Sequence, residues 1–328
     1  MDIVTVALDS NKLIMLDQRK LPNEVSYFTA INKEQIFYAI KEMVVRGAPL
    51  IGVVAAYGMY ISYLNGDDLE NSAKYLNSSR PTAVNLSWAI NKMLVAYKEN
   101  RDLLAQAKAI HQEDIDTNYQ IGDYLIELLG EKRNILTHCN AGILATTKYG
   151  TATAAFYIGK DRGIDYKVYA DETRPRLQGA KLTAFELSNS NIDVTVITDN
   201  MAAHFMSKGM IDAVITGCDR VAANGDVANK IGTLSVSIIA KYYNIPMYIA
   251  TPTSTIDMTL ESGQLIPIEN RNIDEVSKIL NNRITPENIK ILNPAFDVTP
   301  NENITAIVTE KGIIYPPFNK NLNKISFN

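Results

Sequence analysis

The residues with the most chemical promise fall in two short runs. Thr137-His138-Cys139-Asn140-Ala141-Gly142 sets a thiol beside an imidazole and an amide, and Thr216-Gly217-Cys218-Asp219-Arg220 sets a carboxylate beside a guanidinium. A thiol close to a helix start ionises more easily and can act as base or nucleophile. A carboxylate partly buried against substrate gains a raised pKa and can act as a general acid. Both have plainer readings: Cys139 as an inert buried thiol, Asp219 as the cap of a following turn. His138 precedes Cys139 in a strand, so its side chain should face the other way. His111 and His204 fall on helical stretches, so a chain with only three histidines offers no protease-like triad.

Cations recur at helix starts. Arg46-Gly47-Ala48-Pro49 puts a guanidinium and free backbone N–H groups at the mouth of an apolar helix, where an anion is stabilised. Arg80-Pro81-Thr82 repeats the arrangement, and Lys230 is expected to open a third helix. The alternatives are a helix–helix turn for Arg46–Pro49 and a solvated charge for Lys230.

These residues need a scaffold. Up to about residue 110 the pattern is mostly helical: Ile31–Val45 with Asn32 as N-cap and Gln35 three residues on, an apolar helix after Pro49, Thr82–Tyr97, and a long helix from about Asp102 to Leu129. From Asn134, short β-branched runs alternate with helices: Ile135–His138, Lys167–Ala170, Val194–Thr198, Ala213–Thr216, Met247–Ala250 and Thr305–Val308. Continuous apolar runs suit strands covered on both faces, and the alternation predicts an α/β fold with a parallel sheet. Five of these strands end in polar bursts, at 137–142, 171–179, 198–200, 216–220 and 251–255. Ligands of open parallel sheets bind at such carboxyl ends. The domains are expected at 1–110 and 111–328, with the irregular stretch Gln264–Val298 decorating the second.

Composition narrows the chemistry. Hydrophobic residues make up 46% and charged residues 21%, and the net charge is −4 with both signs mixed. These are globular proportions with no basic stripe for nucleic acid or an anionic membrane. No apolar run reaches the roughly 18 residues of a membrane span, and the first residues lack the pattern of a signal peptide. Two cysteines make no disulfide framework, so the cytoplasm is the expected compartment. Neither G-x-x-x-x-G-K-[ST] nor G-x-G-x-x-G occurs, and His and Cys show no metal-ligand spacing. The expectation is acid/base work on a small phosphorylated molecule, with no cofactor or metal.

The runs 46–49 through 55–58, 136–142, 169–179, 197–203, 217–232 and 252–257, together with Asn293-Pro294-Ala295-Phe296-Asp297-Val298-Thr299-Pro300, occur in an order that spans nearly the whole chain. In these runs the sequence resembles the methylthioribose-1-phosphate isomerase family, which also includes ribose-1,5-bisphosphate isomerases and regulatory subunits of translation initiation factor 2B. The resemblance implies isomerisation of 5-methylthioribose 1-phosphate to 5-methylthioribulose 1-phosphate in methionine salvage, with 5-deoxyribose 1-phosphate as an additional substrate. It also implies a homodimer and a Rossmann-like domain after a smaller helical one with a little antiparallel sheet. By position, Arg46, Gly47, Ala48, Arg80, Gln178, Asn229 and Lys230 would bind substrate, Asp219 would donate a proton and Cys139 would be the catalytic thiol. Ribose-1,5-bisphosphate isomerase and a non-catalytic regulatory subunit are the alternatives. Val53, Tyr57 and Met59 are expected to form an apolar pocket for the methylthio group. Cys218 stands where the family usually has Ala, and strand alternation places it behind the site. A Cys139–Cys218 disulfide switch is disfavoured in a reducing compartment.

Overall fold

The computed structural model describes residues 3–81, 83–279 and 282–325. Thr82, the expected start of one helix, lies outside them.

The chain opens with an antiparallel meander, β1 (Val6–Asp9), β2 (Lys12–Leu16) and β3 (Tyr27–Ala30). Helix α1 (Lys33–Lys41) begins as expected, with the Asn32 side chain accepting from the Gln35 N–H at 2.9 Å. It stops four residues before Val45. Met43 takes a left-handed φ of 56°, which turns the chain toward α2 (Ala48–Leu64). Pro49 occupies the first turn of α2, where its missing N–H costs nothing. Gly47 caps it at φ 91°, and a Cβ there would lie 2.3 Å from the Ala145 carbonyl oxygen. Only glycine allows the Arg46 turn to sit that close to the second half of the molecule.

A helix the sequence reading missed, α3 (Leu69–Asn77, capped by Asp68), precedes α4 (Val84–Lys98) and the long α5 (Leu103–Leu129, capped by Asp102). Helix α5 runs unbroken through residue 110. Its first two turns bury Leu103, Ala107 and Ile110 in the core built by α1–α4, and its last turns bury Ile121, Leu125 and Leu129 in another.

That second core belongs to a seven-stranded sheet. Its elements in chain order are β4 (Asn134–Thr137), α6 (Ala154–Asp161), β5 (Lys167–Asp171), α7 (Ala184–Asn189), β6 (Asp193–Ile197), α8 (Ala202–Ser207) and β7 (Ala213–Thr216). After β7 come a hairpin, β8 (Arg220–Ala222) and β9 (Val227–Lys230), then α9 (Thr233–Tyr242) and β10 (Met247–Ala250). The remainder is β11 (Ile256–Asp257), α10 (Asp274–Ser277), β12 (Lys278–Ile279), β13 (Asn282–Arg283), β14 (Phe296–Thr299), β15 (Ala306–Thr309), β16 (Gly312–Ile314) and α11 (Phe318–Asn321). The large sheet has the order β16-β15-β10-β7-β4-β5-β6, parallel except for β16.

Side-chain alternation explains the continuous apolar runs. Ile135, Ala213, Ile215, Tyr248 and Ala250 pack on one face, while Leu136, Val214, Met247 and Ile249 pack on the other. Both faces of the central strands are covered, so their middle positions are apolar, whereas the edge strand β6 is largely exposed. The order fixes the crevice too. From β4 the chain steps outward through β5 and β6, then returns to the other side of β4 as β7. Ligands of doubly wound sheets bind at such a reversal, which here lies between the ends of β4 and β7.

Candidate active site

Cys139 follows β4 and Asp219 follows β7, and these strands are neighbours, with Leu136 paired to Val214. The two expected chemical residues therefore flank the crevice where the sheet order reverses.

Cys139 is not on the strand. It has φ 64° in the left-handed region, imposed by two hydrogen bonds: its N–H donates to Thr173 Oγ1 at 2.8 Å, and its carbonyl accepts from Thr183 Oγ1 at 2.7 Å. Nor does a helix start beside it. A single 3-10 turn at Ile143–Ala145 follows, and α6 begins only at Ala154. The expectation of a helix-activated thiol thus fails. Burial pushes the Cys139 thiol above its ordinary pKa, with Lys230 and Arg46 pulling against it.

Asp219 is exposed to solvent just after β7. Desolvation raises its carboxyl, opposed in turn by Lys230, Arg271, Arg80 and Arg46. The raised acid expected from sequence is present. Its N–H donates to the Ala228 carbonyl at 2.9 Å, which ties it to the hairpin strand β9. Cys218 packs partly buried against the core on one face of the sheet, and burial pushes its thiol up to about 12. Both cysteines are free.

Lys230 does not open a helix. It ends β9, paired to Phe296 of β14, and is buried with its Nζ donating to the Ala295 carbonyl at 2.9 Å and lying 4.5 Å above the Phe296 ring. A solvated charge is excluded. Burial lowers its pKa while Cys139 and Asp219 hold it up. Asn229 is buried beside it, its Nδ2 donating to Thr233 Oγ1 at 3.0 Å.

Arg46 reaches across from the helical half to the end of β4, where both terminal nitrogens meet the Asn140 carbonyl and one also donates to Asn140 Oδ1. Ala48 is exposed at the first position of α2. Arg46 and Gln178 share a cavity of about 150 Å³, whose other lining residues include Leu21, Met43 and Leu182. Those three are the apolar side chains beside the site. Val53, Tyr57 and Met59 are buried in the first core instead, and Tyr57 OH bonds His111 Nδ1 at 2.9 Å. Arg80 is half-buried, and its charge is felt by Asp219, Arg271 and Arg176.

Three further groups escaped the sequence reading. Arg271 and Glu275 come from the segment that was expected to be decoration. Arg271 acts on Asp219 and Lys230, and Glu275 bonds Arg176 at 2.8 Å. Glu186 lies fully buried behind Asn140. Not every strand end joins the site. Asp199, after β6, accepts from the Thr173 and Arg174 N–H groups and so supports the β5 loop. After β10, Thr253 bonds Glu310.

His138, like Cys139, lies beyond the end of β4, so strand alternation does not set its direction; its contacts do. Its Nδ1 is 3.0 Å from Asp171 Oδ2 and its Nε2 is 2.9 Å from the Ile231 carbonyl. Burial works against a charge there, but the two acceptors outweigh it and raise the imidazole pKa. Asp199 completes a group whose donor atoms lie within 4.8 Å of one another, though His138 already has both nitrogens engaged.

The arrangement joins a carboxyl and a thiol, both raised by burial, to several cations, which suits proton transfer on an anionic substrate. Residues 44–316 match the model of the initiation factor 2 subunit family. The chain belongs to that family. A 5-deoxyribose 1-phosphate isomerase of Clostridium botulinum (strain Okra / Type B1) is 55% identical over 99% of both chains. A 5-methylthioribose 1-phosphate isomerase from Pyrococcus horikoshii OT3 superposes with TM-score 0.93 at 40% identity, covering 98% of this chain and 95% of that one. A structure from A. fulgidus titled as translation initiation factor eIF-2B, subunit delta, superposes with TM-score 0.92 at 39% identity, over 98% and 99%. The family thus holds members named both as enzymes and as a factor subunit. Among the described residues no helix is long and apolar enough to cross a membrane.

Proposed function

We propose that this protein is an aldose–ketose isomerase of 5-deoxyribose 1-phosphate and of its methylthio analogue, 5-methylthioribose 1-phosphate. The observation that carries the reading is the placement of Asp219 and Cys139 on adjacent strand ends, with Arg46, Arg80 and Lys230 acting on the same cleft. The 55% identical relative favours the deoxy sugar as first substrate, and with the methylthio sugar the reaction would serve methionine salvage. In this reading Arg46, Arg80, Lys230 and the free N–H groups of Gly47 and Ala48 hold the 1-phosphate, while Gln178 and Asn229 bind sugar hydroxyls. Leu21, Met43 and Leu182 offer an apolar wall for C5. On that wall Arg19 is paired to Asp17 and Arg176 to Glu275, while Lys181 also lines the cavity, so the choice between the 5-deoxy sugars and ribose 1,5-bisphosphate rests on turnover.

Phosphate on the anomeric oxygen blocks opening to a free aldehyde, so the acid must act on the ring oxygen. Asp219, whose carboxyl is raised by desolvation, gives its proton to that oxygen as the bond from C1 to it breaks. The hydrogen on C2 then moves to C1, and the C2 hydroxyl returns a proton to the Asp219 carboxylate as the ketone forms. A thiol kept neutral by burial is a poor base. Cys139 therefore fits best as a group that stabilises a direct hydride shift, rather than as a thiolate carrying the C2 proton. Closure of the cleft by the two halves, 1–110 and 111–328, would exclude water. A homodimer belongs to the same proposal. Ile238 and Tyr242 of α9 and Tyr243 just after it are exposed, and α8, which packs on α9, is flanked by exposed Met201 and Met210.

The test is turnover of the two 5-deoxy sugars and ribose 1,5-bisphosphate by the purified chain, run also in deuterated water. Ketose formation from the 5-deoxy sugars with no solvent deuterium at C1 is expected. Deuterium at C1 would restore Cys139 as a base. Lack of turnover, with stable binding to another protein chain, would move the reading to the regulatory subunits.

A further inference from the structure

Glu186 is a fully buried acidic residue behind the cleft, and the reaction as drawn does not touch it. It is fully buried on α7, just after the widened π-helical turn Gly179–Thr183. Three N–H donors converge on its carboxylate: the backbone of Ile143 at 3.2 Å, that of Leu144 at 3.1 Å, and Asn140 Nδ2 at 3.1 Å. A Cβ on Gly142 would fall 1.5 Å from Glu186 Oε1, so the carboxylate is pressed directly against the turn that follows Cys139.

The direction of the Asn140 amide carries the consequence. Its Nδ2 faces two acceptors, Glu186 Oε2 and Thr183 Oγ1 at 3.0 Å. Its Oδ1 is thereby turned toward the Arg46 guanidinium, which donates to it. A carboxylate offers only acceptors, so it fixes which end of the amide Arg46 meets. Thr183, three residues before Glu186, also holds the Cys139 carbonyl. One short stretch of helix therefore sets both the thiol turn and the cation that crosses from the other half of the molecule.

We propose that Glu186 is a positioning residue for this site: it holds the Cys139–Leu144 turn and, through the Asn140 amide, aims Arg46 at the substrate's phosphate. The proposal rests on the sugar-phosphate reading for its ligand. The groups that act on the carboxylate are consistent with the role. Burial raises it to about 7, with Asn140, the two backbone N–H groups and Arg46 opposing, and its charge acts in turn on the buried Tyr157.

Glu186→Gln keeps the shape but turns an amide NH₂ toward N–H donors. Two readouts test it. The first is the KM for 5-deoxyribose 1-phosphate. The second needs no turnover: the concentration of inorganic phosphate that half-protects Cys139 from iodoacetamide. Both should rise roughly tenfold, the size of one charge-assisted hydrogen bond lost at the phosphate. A merely structural role would reduce the folded fraction and leave both values unmoved in the protein that folds. If Glu186→Gln does not fold, Asn140→Ala takes its place, because it cuts the relay to Arg46 while leaving the Glu186 backbone bonds; the same rise is expected. Folded variants with both values within about twofold of wild type overturn the proposal. If the wild type turns over none of the sugars, the substrate reading fails, and phosphate protection alone decides the role of Glu186.

Discussion

The crevice has a front and a back built on different terms. At the front, Cys139 and Asp219 reach the cleft, and burial and nearby cations pull each pKa in opposite directions. At the back, His138–Asp171 and Glu186–Asn140 are sealed from solvent and hydrogen-bonded to one another and to the backbone, with Asp171 Oδ1 left without a partner. The front keeps its groups incompletely satisfied so that a substrate can complete them. The back ties its groups to one another so that the front cannot relax. Mutations should therefore divide cleanly, with losses of chemistry at the front and losses of stability behind.

The widest separation is expected for the catalytic pair. Asp219→Asn removes the proton donor and Cys139→Ala removes the thiol, and each should lower kcat by about 10³-fold, within the range of acid/base contributions. Neither should lower the urea midpoint. Asp219→Asn should match or slightly exceed wild-type stability, because it removes a desolvated carboxyl from beside its neighbours. A variant with near-normal turnover, or one that loses kcat only through unfolding, would erase the distinction between front and back.

His138→Ala tests the other side. It leaves Asp171 buried without its partner and frees the Ile231 carbonyl, a defect that costs about 3–5 kcal/mol. Urea unfolding should show that loss, while the fraction that stays folded keeps measurable turnover. An unchanged midpoint together with abolished turnover would place His138 in the chemistry.

How legible these regions were differs for the same reason. The strands could be read because both sheet faces are dry, which forces runs such as Ile135-Leu136 and Val214-Ile215 to be apolar throughout. The strand-end residues could be read because polar groups have no business at those positions unless they face a cleft. Asp219 stood out on that ground, Arg46 as a cation at a helix start, and the resemblance supplied Asn229. Lys230 was misplaced on a helix because the hairpin β8–β9 is too short to show periodicity, and its pairing partner β14 lies 66 residues along the chain from it. Glu186 reads as one acidic residue on an amphipathic helix. Only the fold shows that it points inward onto Gly142. Arg271 was hidden in an irregular segment whose value comes from where it docks.

Glu186 also gives the comparison a pH axis. Its carboxyl lies at about 7 in the fold against an ordinary 4.5. A raised carboxyl contributes stability that is complete below about 4.5 and is lost as pH rises through about 7, and this displacement corresponds to about 3 kcal/mol. Unfolding free energies taken from pH 4.5 to 8 should fall along that window in the wild type. Glu186→Gln should be less stable at the acid end and lose the slope. A parallel slope in both proteins would assign it to other groups.

The smallest effect is expected at Cys218, and it tests whether the front ends where the geometry places it. Cys218 and Asp219 are consecutive, yet Cys218 turns into the core on one face of the sheet and its thiol is pushed up to about 12. Its burial is opposed only by Thr251 and Arg220, whereas Cys139 faces Lys230 and Arg46 across the cleft. At pH 8 iodoacetamide should therefore label Cys139 first, as peptide mass mapping would show, and Cys218→Ala should leave kcat within about twofold. The cost should appear as a modest fall in the urea midpoint from the lost packing of one sulfur, in the range of small core truncations of about 1 kcal/mol. Earlier labelling of Cys218, or a large fall in kcat on its replacement, would extend the reactive front one residue back along the chain and undo the assignment of Asp219 as its edge.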